Sequence, residues 1–150
     1  MTRRARGTRT GTEAVWAEVS PEAAGVWREL TAASGLAAWS VLETTLDYLR
    51  SETPPAGLPA WWPAERVHRR PRNSIVRESP DAPPKVEQVF GDIDSDMARV
   101  IERVHRAGGG AKWFVLQTAL IRVGAQRETD GLPSWWPRVA HMQEALPIPA

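Results

Sequence analysis

Residues 13–63 read EAVWAEVSPEAAGVWRELTAASGLAAWSVLETTLDYLRSETPPAGLPAWWP, and residues 87–137 read EQVFGDIDSDMARVIERVHRAGGGAKWFVLQTALIRVGAQRETDGLPSWWP. The two stretches align without a gap at an offset of 74, and 18 of 51 positions are identical. Among the identities are Gly35/Gly109, Trp39/Trp113, Leu42/Leu116 and Leu46/Leu120, and the block Gly57-Leu58-Pro59-x-Trp61-Trp62-Pro63 returns at Gly131–Pro137. Other positions match in kind, such as Trp16/Phe90, Glu18/Asp92 and Val19/Ile93. A constant offset over that length reads as an internal duplication.

Each copy opens on an alternating segment. Val15, Ala17 and Val19 face one way and Ala14, Trp16 and Glu18 the other, which predicts a short strand over 13–19. In the second copy Val89, Gly91 and Ile93 oppose Gln88, Phe90 and Asp92, predicting a strand over 86–93. Ser20-Pro21-Glu22 then supplies a capping hydroxyl, a proline suited to the first helical position and an acid near the positive helix end. Ala23, Val26, Trp27, Leu30 and Ala33 form the apolar stripe of a first helix, which Ser34-Gly35 stops. A second helix begins near Leu36 or Ala37, carries Trp39, Leu42, Leu46 and Leu49, and ends before Pro54-Pro55. In the second copy Asp94 or Ser95 caps a helix lined by Met97, Val100, Ile101, Val104 and Ala107. After the break at Gly108-Gly109-Gly110, Trp113, Leu116, Leu120 and Val123 line the last helix.

Units of about 50 structured residues bury too little apolar surface to be stable alone. The expected fold is therefore mostly α with a short two-stranded antiparallel ribbon, in which the duplicated β-α-α units form a pseudo-dimer sharing one core. The expected organisation is an arm over 1–12, a first repeat over 13–63, a Pro- and Arg-rich linker over 64–85, a second repeat over 86–137 and a tail over 138–150.

On the residues Val15-x-Ala17-x-Val19, Ser20-Pro21-Glu22, Leu30, Gly35-Leu36 and Leu46-Asp47-Tyr48-Leu49, the chain resembles the ribbon-helix-helix family in a tandem, single-chain form. The resemblance covers roughly residues 13–50 and 86–126. It implies a small DNA-binding regulator whose ribbon enters the major groove while the start of the second helix of each unit holds a phosphate. Carried over by position, the groove face is Ala14, Trp16, Glu18, Gln88, Phe90 and Asp92, and the phosphate-holding turns are Gly35–Ala38 and Gly109–Lys112. Of the face residues only Gln88 is an ordinary base reader, whereas Glu18 and Asp92 are carboxylates and Trp16 and Phe90 large apolar rings. The Leu-Pro-x-Trp-Trp-Pro block lies outside the family's pattern. The second expectation is therefore a protein-interaction or structural module that uses the Trp16/Phe90 face of the same scaffold.

Net charge is +1, with 42% hydrophobic and 25% charged residues, the balance of a folded domain. Its arginines are clustered. Arg3, Arg4, Arg6 and Arg9 precede the first strand, and Arg66, Arg69, Arg70, Arg72 and Arg77 precede the second. They read either as phosphate contacts along a duplex or as solvated chain. The pairs Trp61/Trp62 and Trp135/Trp136 read as plugs over the open end of a helix pair, one ring of each buried and the other partly exposed, or as stacking platforms for bases or a Pro-rich peptide.

Enzyme chemistry is not expected. There is no cysteine, and His68, His105 and His141 have no metal-ligand spacing. Asp92-x-Asp94-x-Asp96 has the beginning of a calcium loop, but Met97 occupies the glycine position and Arg103 the final ligand position. Gly108-Gly109-Gly110 lacks the Lys-Ser/Thr of a phosphate-binding catalytic loop. No cofactor or metal is expected. The expected location is cytoplasmic, without a membrane partner, since no apolar run approaches about 18 residues. Partners are double-stranded DNA or a protein, with further self-association open.

Overall fold

The computed structural model describes residues 11–69 and 86–137. In chain order it contains β1 (Thr12–Val19), α1 (Pro21–Ser34), α2 (Ala38–Glu52), β2 (Glu87–Asp94), α3 (Ser95–Val104) and α4 (Lys112–Ala125). A π-helical turn, His105–Gly109, joins α3 to α4, and within it Gly108 takes φ 93°.

Local chemistry sets the boundaries. Ser20 is extended and its hydroxyl accepts from Ala23 N–H at 3.2 Å, while Pro21 occupies the first turn. Gly35, at φ 72°, ends α1 with its N–H donated to Thr31 O. Asp94 caps α3 by accepting from Asp96 N–H at 2.8 Å. α2 starts at Ala38, one or two residues later than the spacing predicts, because Ala37 is still extended with ψ 149°. Ala33 and Ala107, expected on the buried stripes, are exposed. They lie past the last covered residues of the first helices, Leu30 and Val104, and Ala24 and Ala98 are buried instead.

β1 and β2 pair antiparallel from Thr12↔Asp94 to Val19↔Glu87, with Trp16 opposite Phe90 at the centre. The alternation follows the expected parity. Ala17, Val19, Val89 and Ile93 turn into the core, and Trp16 and Phe90 turn out. Under the ribbon, β1 packs on α4 and β2 on α2, while α1 packs on α4 and α3 on α2. Each strand thus rests on the second helix of the other half of the sequence. One cluster results, with Leu30, Leu42, Leu46, Leu49, Leu116 and Leu120 fully buried at its centre. Burying one such leucine contributes about 1.5–3 kcal/mol. Gly91 fixes the ribbon's height over α2, since a Cβ there would stand 3.1 Å from the Cβ of Trp39.

The two Trp-Trp blocks close the other side. Trp62 and Trp136 are buried, Trp61 is half-buried and Trp135 is 38% exposed. Trp62 Nε1–H reaches across to Gly109 O at 3.1 Å. Just beyond it, Val67 O accepts from Ala111 N–H at 2.7 Å, so the first residues of the segment read as linker lie against the start of α4. No helix among the described residues is long and apolar enough to cross a membrane.

Candidate interaction face and its surroundings

The outward side of the ribbon presents three rows, Ala14/Asp92, Trp16/Phe90 and Glu18/Gln88. All six residues expected on the groove face therefore stand together on it. Trp16 is 59% and Phe90 56% exposed, a large apolar area to leave in water. Phe90 meets Trp27 edge-on, with centroids 6.0 Å apart. The two strands carry Glu13, Glu18, Glu87, Asp92 and Asp94 and no lysine or arginine. Arg28 on α1 pairs with the ribbon, its Nη1 lying 3.1 Å from Glu87 Oε1.

The two turns expected to hold phosphate differ. At the first, Gly35 and Ala37 are exposed, and α2 has no side-chain cap bond. At the second, Gly109 is buried, its carbonyl accepts from Trp62, and Ala111 N–H is taken by Val67 O. Lys112 is exposed but its Nζ sits 2.6 Å from Glu102 Oε2, and Arg106 Nε sits 2.7 Å from Glu102 Oε1. Hydrogen bonding from Lys112, then from Arg106, holds the Glu102 carboxyl below its ordinary value. Arg69 is exposed. Arg3, Arg4, Arg6, Arg9, Arg70 and Arg72 lie outside the described residues.

Two features escaped the sequence reading. The first is an aromatic stack at the plugs. Tyr48 lies parallel to Trp135 (4.5 Å between centroids, 6° between planes) and near-parallel to Trp61 (6.3 Å, 19°). Its hydroxyl donates to Glu52 and accepts from Gln126 Nε2–H, while Glu52 Oε1 and Gln126 Oε1 accept from Trp61 Nε1–H and Trp135 Nε1–H respectively. Arg122, 74 positions after Tyr48, places its guanidinium 4.9 Å from the Trp61 centroid. A lone tyrosine beside the apolar stripe of α2, with an arginine 74 positions later, was the available signal. The second feature is a groove of about 430 Å³ between β1, α3 and the start of α4, with Trp16, Ile101 and Trp113 among its walls.

Among the described residues no group of three or more His, Asp or Glu is arranged to hold a metal ion. No family model matches the chain, and no curated protein or solved structure was found to match it.

Proposed function

We propose that the chain is a non-enzymatic interaction module, a tandem ribbon-helix-helix-like pseudo-dimer whose ribbon face docks a protein partner. The single observation that carries this reading is the pair Trp16 and Phe90. They stand opposite each other, both more than half exposed, on strands that contain no cation. Duplex binding draws most of its affinity from cations on phosphates, and the two strands of this face contribute none. A partner segment with apolar and basic side chains matches it.

The duplicated scaffold is supported by contacts that exchange at the same offset of 74. The register is centred on the equivalent residues Trp16 and Phe90. Trp61 Nε1–H donates to Glu52 at 3.1 Å and Trp135 Nε1–H to Gln126 at 2.8 Å, again equivalent pairs.

A second reading, a DNA-binding regulator, is favoured by the exposed, uncapped start of α2 at Gly35–Ala38. One pair of experiments separates the two. A random peptide library is selected on the full chain and counter-selected on Trp16→Thr/Phe90→Thr; enrichment of apolar-basic peptides only on the unaltered protein supports docking. Equal enrichment on both overturns it. Anisotropy titrations of a labelled duplex between roughly 50 and 200 mM salt test the second reading, which requires affinity that falls by orders of magnitude across that range.

A further inference from the structure

The groove beside β1 has a counterpart in the other half of the molecule, and the counterpart is full. At the position 74 residues before Ile101 stands Trp27. Its indole is buried, meets Phe90 edge-on and donates Nε1–H to Ala38 O at 3.0 Å. Where the first half has that indole, the second has the smaller Ile101, and about 430 Å³ stands open against Trp16 and Trp113. That volume falls within the usual range of about 300–1,000 Å³ for small-molecule sites.

The rim has changed together with the volume. The positions 74 residues before the groove's Arg99, Arg106 and Lys112 are Gly25, Ala32 and Ala38, while Arg28 stands 74 residues before Glu102. Arg106 and Lys112 share a single carboxylate, Glu102, so that cluster retains one positive charge. Arg99 is paired with Asp96 at 2.9 Å, and Glu13 also reaches the lining. The groove mixes polar and apolar walls, has room for a fused aromatic ring, and carries its one net positive charge locally, at the Arg106–Lys112–Glu102 end.

We propose that this groove binds a small aromatic monoanion, its ring held against Trp16 and Trp113 and its anionic group at Lys112 and Arg106. Trp16 belongs to both this groove and the ribbon face, so the two sites share one wall, but ligand binding here does not require a partner on the ribbon. The filled half supplies the internal precedent, since Trp27 shows that the same framework accepts an indole at the equivalent place. Transferring that residue is therefore also the sharpest test.

The probes are 1-naphthoate and its neutral analogue 1-naphthalenemethanol, titrated calorimetrically into the full chain. Naphthoate is expected to bind roughly two- to fivefold more tightly than the alcohol, the value of one partly exposed charge contact. Ile101→Trp should weaken naphthoate by at least about tenfold by filling the slot, and Lys112→Gln should remove most of the preference for the anion. Trp16→Ala, an exposed change that leaves the core intact, guards against misfolding of the first variant and should weaken both probes. Amide and indole NMR shifts on adding naphthoate should centre on Trp16, Ile101 and Trp113. No binding at the solubility limit, equal affinity of the two probes, unchanged affinity in folded Ile101→Trp or Trp16→Ala, or shifts centred elsewhere would each overturn the proposal.

Discussion

The backbone N–H of Asp94 donates to Glu43 Oε2 at 2.7 Å, tying the start of α3 to a helix from the other half of the sequence. Ser20 N–H donates to Gln117 Oε1 at the same 2.7 Å, and Ser20/Asp94 and Glu43/Gln117 are each 74 residues apart. Both bonds sit where a strand hands over to a helix, so each fixes the entry angle of α1 or α3 against the opposite second helix. The bond to the carboxylate is charge-assisted and the stronger of the two. Glu43→Ala should therefore lower unfolding free energy by about 1.5–3 kcal/mol and Gln117→Ala by about 0.5–1.5 kcal/mol. Glu43→Gln, which keeps an acceptor oxygen, should lie between wild type and Glu43→Ala. Urea midpoints at constant slope measure this, and a wild-type midpoint for Glu43→Ala would remove the bond from the account of stability.

Gly124 lies inside α4, where alanine would ordinarily gain about 1 kcal/mol in helix propensity. A Cβ at that position would stand 2.6 Å from Val26 Cγ2 on α1. Overpacking typically costs about 1–3 kcal/mol, so Gly124→Ala should destabilise despite its better propensity. The same clash predicts the remedy. Val26→Ala alone opens a cavity, but combined with Gly124→Ala it should recover part of the loss. A thermal melt of the double variant no better than the sum of the singles would contradict this coupling.

Tyr48 holds the two Trp-Trp blocks in register by stacking on a ring from each. Tyr48→Phe keeps the stack and loses a hydroxyl that both donates and accepts, a cost of about 1 kcal/mol. Tyr48→Ala loses both ring contacts, each about 0.5–1.5 kcal/mol beyond area burial. The alanine variant should also lose near-ultraviolet circular dichroism and red-shift the tryptophan emission as Trp61 and Trp135 come loose. If alanine proves no worse than phenylalanine in both stability and spectra, the stack is ornamental.

What the sequence made legible was whatever repeats along the chain with a fixed period. The strand faces were readable because Ala17, Val19, Val89 and Ile93 are buried on one side of a period-two pattern. The pairing of the strands followed from each unit being too small to bury its own edge. The illegible parts depend on distant residues meeting. Nothing in the spacing of α1 and α3 says that Trp27 is buried against Phe90 while a groove stands open beside Ile101. Helical period places Tyr48 beside Leu49 but does not say that rings at 61 and 135 return to it. Likewise the shared carboxylate of Glu102 arises only because a π-helical turn brings Lys112 back beside α3.

That shared carboxylate makes a pH prediction with a definite sign. Glu102 is held below its ordinary 4.5, first by the Lys112 hydrogen bond and then by Arg106. A group whose folded pKa is lowered adds stability above its unfolded value, and that stability is lost as pH falls through the folded pKa. The gap in unfolding free energy between wild type and Glu102→Gln should accordingly be constant from neutral pH down to the ordinary carboxylate range. Below it the gap should narrow, and it should vanish once the carboxyl is protonated in both states. The pair is solvent-exposed, so added salt should shrink the gap at neutral pH as well. Urea titrations at several pH values, at low and high salt, test both statements. A gap that widens toward acid would mean that Glu102 is destabilised in the fold, and that Lys112 and Arg106 do not hold its charge.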